Sequence, residues 1–309
     1  MNTIIRPYHD QAALLIRVLP HVAAESCFAL KGGTAINLFI RDFPRLSVDI
    51  DLTYLPLEER NVSLQNISSA LRRIAKAVTT TVQGSNVSHR QLPKTDFTVR
   101  LVVRTPEAQI KIEQNLIIRG TVFPPEEREL CQGAQDLFQA FVSVNTCSVP
   151  DLYGGKICAA LDRQHPRDLF DIKVLFENGG ITPDILTAFI VYLVSHNRPM
   201  AELLAPNMLD ITDLFENELR GMTKVPVKLD ELLSVRDDLI SIILKKLSPD
   251  QKEFIISVKE GTPKWELLGV DQNVALLPAI QWKLRNINRM ASQKHKESLE
   301  KLKSILAEG

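Results

Sequence analysis

The stretch from Ser47 to Tyr54 constrains the fold of this chain more than any other. Val48, Ile50 and Leu52 alternate with Ser47, Asp49, Asp51 and Thr53, which is the period of a strand with one apolar face. The other face carries two carboxylates, Asp49 and Asp51, about 6.5–7 Å apart. At an effective dielectric near 20 they repel by roughly 2.4 kcal/mol. A fold separates such a pair, solvates it, or sets a cation between its members. Magnesium held by one or two carboxylates plus substrate phosphates is the usual solution. Ser47 shares the face of Asp49, so a phosphate on it would bring about two negative charges against the pair.

The surrounding segments alternate between helix and strand. Helical spacing over 9–25 puts Leu14, Leu15, Val18, Leu19 and Val22 on one side. A short strand at 27–30 is broken by Lys31-Gly32-Gly33, and a helix is expected over 34–40. Glycines at that turn let a phosphate approach the backbone closely; a plain structural turn explains them equally well. A helix is expected over 57–81, strands over 86–92, 96–104, 108–118 and 140–147, and helices over 150–163 and 167–177. After the stop at Glu177-Asn178-Gly179-Gly180 nearly every segment is helical: 182–195, 229–247, one starting at Ser248-Pro249, and one or two long helices over 273–307. The expectation is an α+β chain, with a mixed-sheet domain over 1–180 and an all-helical domain over 181–309.

Three further groups carry candidate chemistry. In the strand 110–115, Lys111, Glu113 and Asn115 share a face. Glu113 is either a third carboxylate for a metal-assisted phosphoryl transfer or half of an exposed neighbour pair with Lys111. In the helix 150–163, Gly154 and Gly155 each cost about 1 kcal/mol relative to alanine, so something must come close there. Lys156 and Arg163, seven residues apart, project from roughly one face and suit a triphosphate. In 163–171, Asp168 and Asp171 stand three residues apart and Arg167 and Asp171 four, either as site residues or as a helix start with an internal ion pair. His165, alone in the turn, is expected to be structural.

Composition narrows the classes. The 309 residues suffice for two domains. Lys plus Arg and Asp plus Glu both number 37, so overall charge gives nucleic-acid binding no support and only a local asymmetry can. One exists: Lys283, Arg285, Arg289, Lys294, Lys296, Lys301 and Lys303 face only Glu297, Glu300 and Glu308 beyond residue 273, a net of +4 from seven positive and three negative groups. A basic helix there either grips an RNA backbone or is a solvated face. The four cysteines form no CxxC and no Cys/His zinc spacing, so reduced thiols in the cytoplasm are expected. No stretch reaches the roughly 18 apolar residues of a membrane span, and the opening segment lacks the pattern of a signal peptide.

The strings KGGTAINLFIRDFPRLSVDIDLTYLP, KIEQN and DLYGGKICAALDRQHPRDLFDIKVLF, in this order over residues 28–176, resemble the AbiEii/AbiGii family of abortive-infection nucleotidyltransferase toxins. The resemblance implies a DNA polymerase β-type nucleotidyltransferase fold and a phage-defence toxin–antitoxin role. It implies Mg²⁺ or Mn²⁺ at Asp49, Asp51 and Glu113. A nucleoside triphosphate would lie against Gly32, Gly33, Thr34, Lys111, Lys156, Arg167 and Asp168, with Asp151 in the motif of Lys156 and with Lys156 and Asp171 also catalytic; the strand face and the helix spacing add Ser47 and Arg163 to the nucleotide-binding set. The implied acceptor is RNA, the 3′ end of tRNA, and the implied partner a cognate antitoxin. Gly33-Thr34 stands where the wider superfamily has Gly-Ser. Two readings stay beside this one: the same chemistry on a protein or small-molecule hydroxyl, and a catalytically silent partner-binding module.

Overall fold

The alternating segment becomes the strand on which the sheet is built. The computed structural model describes residues 6–308; residues 1–5 and 309 lie outside the described residues, and so does part of the segment judged to lack a signal peptide. Seven strands form one mixed sheet: β1 (Phe28–Lys31), β2 (Asp49–Tyr54), β3 (Asn86–Gln91), β4 (Thr98–Arg104), β5 (Gln109–Gln114), β6 (Glu126–Glu129) and β7 (Ser143–Thr146), in the order β3-β4-β5-β2-β1-β7-β6. β2 runs parallel to β5 and antiparallel to β1; β1 and β7 are parallel. Ile50, Leu52, Leu101, Val103, Ile110 and Ile112 are all buried. Helices α1 (Arg6–Ala23) and α3 (Arg60–Thr81) pack on these strands, α1 on β5 and β7, α3 on β4. Their stripes, with Leu15, Val18 and Leu19 on one and Leu64, Ile67 and Leu71 on the other, are buried, each such side chain contributing about 1.5–3 kcal/mol.

Between β1 and β2, the expected helix begins earlier, as α2 (Gly32–Ala35), and widens into a π turn over Ile36–Ile40. Two elements were not expected. β6, Glu-Glu-Arg-Glu, is an edge strand with no apolar alternation to announce it. The short helix α4 (Gln132–Phe138) follows it.

The remaining helices are α5 (Val149–Arg163), α6 (Pro166–Glu177), α7 (Pro183–Ser195), α8 (Met200–Leu204), α9 (Thr212–Glu218), α10 (Leu229–Lys246), α11 (Pro249–Glu260), α12 (Pro278–Asn288) and α13 (Ser292–Glu308). The chain divides into two compact units, one of residues 1–148 with 220–226, the other of 149–219 with 227–309. The division falls at 148/149 and not near 180. The Gly-Gly stop at 179–180 ends α6, but α5 packs on α7 and α6 on α10, so both helices belong to the helical unit. Among the described residues no helix is long and apolar enough to cross a membrane.

One glycine in α5 owes its place to this packing. A Cβ on Gly154 would sit 2.7 Å from the Phe189 amide nitrogen and 2.8 Å from the Ala188 carbonyl carbon, both backbone of α7. A Cβ on Gly155 would meet nothing within 4 Å. Gly154→Ala is therefore expected to destabilise the protein by about 1–3 kcal/mol, as overpacking does. Gly155→Ala should stabilise it by up to about 1 kcal/mol. Urea unfolding followed by far-ultraviolet circular dichroism checks both; equal effects would contradict this account of Gly154.

Candidate active site

Strand pairing turns the two acids into part of a charged row. Asp51 is in register with Lys31 on β1 and with Glu113 on β5, and Glu113 is in register with Arg100 on β4. Partners in register present side chains to the same face, so Lys31, Asp51, Glu113 and Arg100 cross four neighbouring strands in the order +, −, −, +. Asp49 pairs in register with Lys111. Asp49, Asp51, Lys111 and Glu113 are all half-buried. The end cations were not anticipated: which residues become neighbours across strands depends on register, and one strand's sequence does not state it.

The Gly-Gly-Thr turn lies directly on this pair. Gly32 has φ +72°, and a Cβ on it would lie 2.5 Å from Asp51 Oδ2, so two separate reasons require glycine there. A Cβ on Gly33 would lie 2.6 Å from Arg45 Nη2 and 3.1 Å from Ser47 Oγ. Thr34, buried, donates its hydroxyl to the carbonyl oxygen of Asp49. Its single proton is spent there, so in the 2.8 Å contact between the two hydroxyls Ser47 is the donor. Ser47 is only 9% exposed, so a phosphate on it would have to break this contact and open the turn. Arg45, 2% exposed, donates to the carbonyl of Leu46 at 2.8 Å and leans on Gly33. It was missed; its only signal was its place four residues before Asp49.

Of the three acids expected to hold a metal, Glu113 has a cation of its own. Glu113 Oε1 is 2.9 Å from Arg100 Nε, and among the described residues no three His, Cys, Asp or Glu side chains are grouped to hold a metal. What remains is a pair, Asp49 and Asp51. Two hard carboxylates that leave the other coordination positions to phosphate oxygens and water suit magnesium. The bare backbone of Gly32 lies so close against the Asp51 carboxylate that no side chain fits between them.

The helical unit holds the other candidates in a buried cluster of its own. Lys156 Nζ is 2.8 Å from Asp168 Oδ1 and 3.0 Å from Asp171 Oδ2, with exposures of 7%, 1% and 0%. Arg163 closes on Asp168 from the solvent side, Nε at 2.5 Å and Nη2 at 3.0 Å. Burial pushes the Asp168 carboxyl up, but Lys156 and Arg163 together outweigh it and hold it well below the ordinary carboxylate range. Lys156 and Arg163 thus share a face, as their spacing suggests, and what they share it with is Asp168. Asp171 is fully buried and held by Lys156.

Arg167 does not pair with Asp171. Its Nη2 is 3.0 Å from Glu218 Oε2. His165 caps α6: its Nδ1 accepts from the Arg167 amide at 3.1 Å, and Nε2 meets Glu218 at 3.0 Å. The neutral ring therefore carries its proton on Nε2, and burial lowers its pKa despite Glu218. Asp151, buried, accepts from Tyr192 Oη at 2.7 Å. In the basic C-terminal segment, Lys283 donates to the carbonyls of His196 (2.6 Å) and Arg198 (2.8 Å), and Lys303 pairs with Glu260 at 3.3 Å. Internal contacts thus use two of its seven cations.

The fold, a mixed sheet with an acid pair on one strand behind a glycine turn, is that of a nucleotidyltransferase. Over residues 13–286 the chain matches the family described as nucleotidyl transferase AbiEii toxin of type IV TA systems. The protein belongs to that family: it is a nucleotidyltransferase and the toxin of a type IV toxin–antitoxin system. Among solved structures it is similar to MenT4, a nucleotidyltransferase toxin of Mycobacterium tuberculosis. The identity is 15%, with 96% of this chain and 95% of that one covered and a TM-score of 0.57, a likeness of fold. Terminal uridylyl transferase 4 of Trypanosoma brucei, with bound UTP and UMP, matches at 12% identity over 96% of this chain and 100% of that one, but at a TM-score of 0.26, which carries no argument. No curated protein matches the chain significantly.

Asp168 supports a pH prediction. Its pKa is depressed from the ordinary 3.8, so its contribution to stability is complete above about pH 4 and fades as pH falls toward the folded value. Asp168→Asn is expected to be less stable at neutral pH and to lose less on acidification from about pH 7 to pH 3. Lys156→Met, which removes the cation shared by two buried carboxylates, is expected to cost about 3–5 kcal/mol at neutral pH. Urea midpoints across this range check both; a variant curve parallel to the wild type would contradict the cluster's role.

Proposed function

We propose that the protein transfers a nucleoside monophosphate from a nucleoside triphosphate to a hydroxyl of RNA, the 3′ end of tRNA, and so stops translation and growth. In this reading it acts in the cytoplasm as the toxic half of an abortive-infection phage-defence pair, neutralised by a cognate antitoxin. The observation that carries it is the half-buried Asp49/Asp51 pair, set against the bare backbone of Gly32 and flanked in register by Lys31 and Lys111.

Asp49 and Asp51 would hold Mg²⁺ or Mn²⁺, which when bound neutralises phosphate charge and polarises the incoming hydroxyl. Gly32 and Gly33 let the phosphates approach the backbone. Thr34 and Ser47 fix the turn by their mutual contact. Arg45 and Lys111 supply positive charge on either side of the acids. Glu113, beside Asp51 and steadied by Arg100, orients the acceptor hydroxyl. In the helical unit, Lys156, Arg163, Asp168 and Asp171 lock α5 to α6, and Arg167 with Glu218 ties α6 to α9.

The test is incubation of the purified protein with magnesium, each labelled nucleoside triphosphate in turn, and total tRNA, followed by a denaturing gel. Label is expected in tRNA from at least one nucleotide. It should fall by at least about a hundredfold in Asp51→Asn, because the metal-held charge is lost while the sheet is kept. Label on protein or on a small molecule would overturn the choice of acceptor. Undiminished transfer by a folded Asp51→Asn would overturn the site.

A further inference from the structure

Arg119 is a charge that the transfer chemistry does not use. It follows β5 in a turn where Asn115 Oδ1 accepts from the amides of Ile117 at 2.9 Å and Ile118 at 2.8 Å. The next residue, Gly120, donates its amide to the carbonyl of Tyr54 at 2.8 Å, which lays the turn against the segment joining β2 to α3. Arg119 is 6% exposed, and its Nε is enclosed without a hydrogen-bond partner.

The nearby acids place their hydrogen bonds elsewhere and reach Arg119 only through space. Glu58 accepts from Tyr54 Oη at 2.8 Å and from Asn66 at 3.0 Å, and Glu59 caps α3 by accepting from the Asn61 amide at 3.1 Å. Burial first, and then the positive charge of Arg60, lower the pKa of the guanidinium. A buried polar group without a partner calls for an explanation, and an anion brought from outside supplies one. On the same two segments and on the first turn of α3, three large apolar side chains face solvent: Leu57 at 44%, Val62 at 45% and Ile117 at 47% exposure.

We propose that Arg119 anchors a docking site for a partner polypeptide that presents one acidic side chain flanked by apolar residues. The planar fork of the guanidinium takes a carboxylate through two parallel hydrogen bonds. Leu57, Val62 and Ile117 cover the neighbouring apolar side chains of the partner. One guanidinium matches one carboxylate, and the apolar side chains of Leu57, Val62 and Ile117 offer nothing to a run of phosphates, so a single acid in apolar surroundings fits here better than a nucleic-acid backbone.

The probe is a fluorescein-labelled peptide with one glutamate between leucine and isoleucine, measured by fluorescence polarisation on the full chain beside its glutamine counterpart. The glutamate peptide is expected to bind at least about tenfold more tightly, the size of a charge-assisted hydrogen bond. Arg119→Gln is expected to remove that preference. Ile117→Asp, which sets a competing carboxylate at an exposed position, should weaken binding on the order of tenfold and leave nucleotide transfer unchanged. Failure of the glutamate peptide to bind, equal binding of the two peptides, or indifference to both substitutions would overturn the proposal. So would displacement of the peptide by total tRNA at lower concentration than by its unlabelled self.

Discussion

Two carboxylates on one strand face repel each other, and the sheet is arranged around that fact. Separating Asp49 from Asp51 would relieve the repulsion; the parallel pairing of β2 with β5 instead adds a third acid, Glu113, beside Asp51. The compensation comes from the flanks. Lys31 and Arg100 stand at the ends of the row, Lys111 beside Asp49, and Arg45 behind Gly33. Arg100 holds Glu113 directly, while Asp49 and Asp51 stay half-buried between Lys31 and Lys111. A divalent cation with its triphosphate is the ligand that such a pair attracts most strongly.

The helical unit solves a related problem by the opposite means. Its acids, Asp168 and Asp171, are buried, and their counterion is internal: Lys156 touches both. Such a cluster is a weak source of stability, because desolvation offsets most of the attraction, but it specifies one register between α5 and α6, since any slip leaves a charge unpaired. Gly154 does the same between α5 and α7 by allowing backbone against backbone. Equally charged strings in the sequence thus have two fates, one half-exposed on a sheet face and one closed on itself, and burial distinguishes them.

Much of this was legible in the sequence. Amphipathic periodicity found α1, α3, α5, α6, α7 and α10 and the central strands, because each buries one face and the pattern of burial is written locally. β6 was not legible because an edge strand of Glu-Glu-Arg-Glu owes its place to pairing with β7 alone. The boundary expected near 180 was misplaced because a strong helix stop ends an element and says nothing about what that element packs on. Asp49, Asp51 and the glycine turn were found together from their spacing. Arg45, Lys31 and Arg100 were not, since their relation to the acids runs through cross-strand register and a loop return. The ion pair between Arg167 and Asp171, one of the two alternatives for that string, does not form because tertiary partners, Glu218 for one and Lys156 for the other, outcompete a helical neighbour worth a few tenths of a kcal/mol.

The central claim is that Asp49 and Asp51 bind a nucleoside triphosphate through a divalent cation. Titration calorimetry of the full chain with each nucleoside triphosphate, with magnesium and with a chelator, tests it most directly, beside an Asp49→Asn, Asp51→Asn double variant shown to be folded. The account predicts binding that requires magnesium and disappears in the double variant. Binding of equal strength without the metal, or retained in the variant, would contradict it.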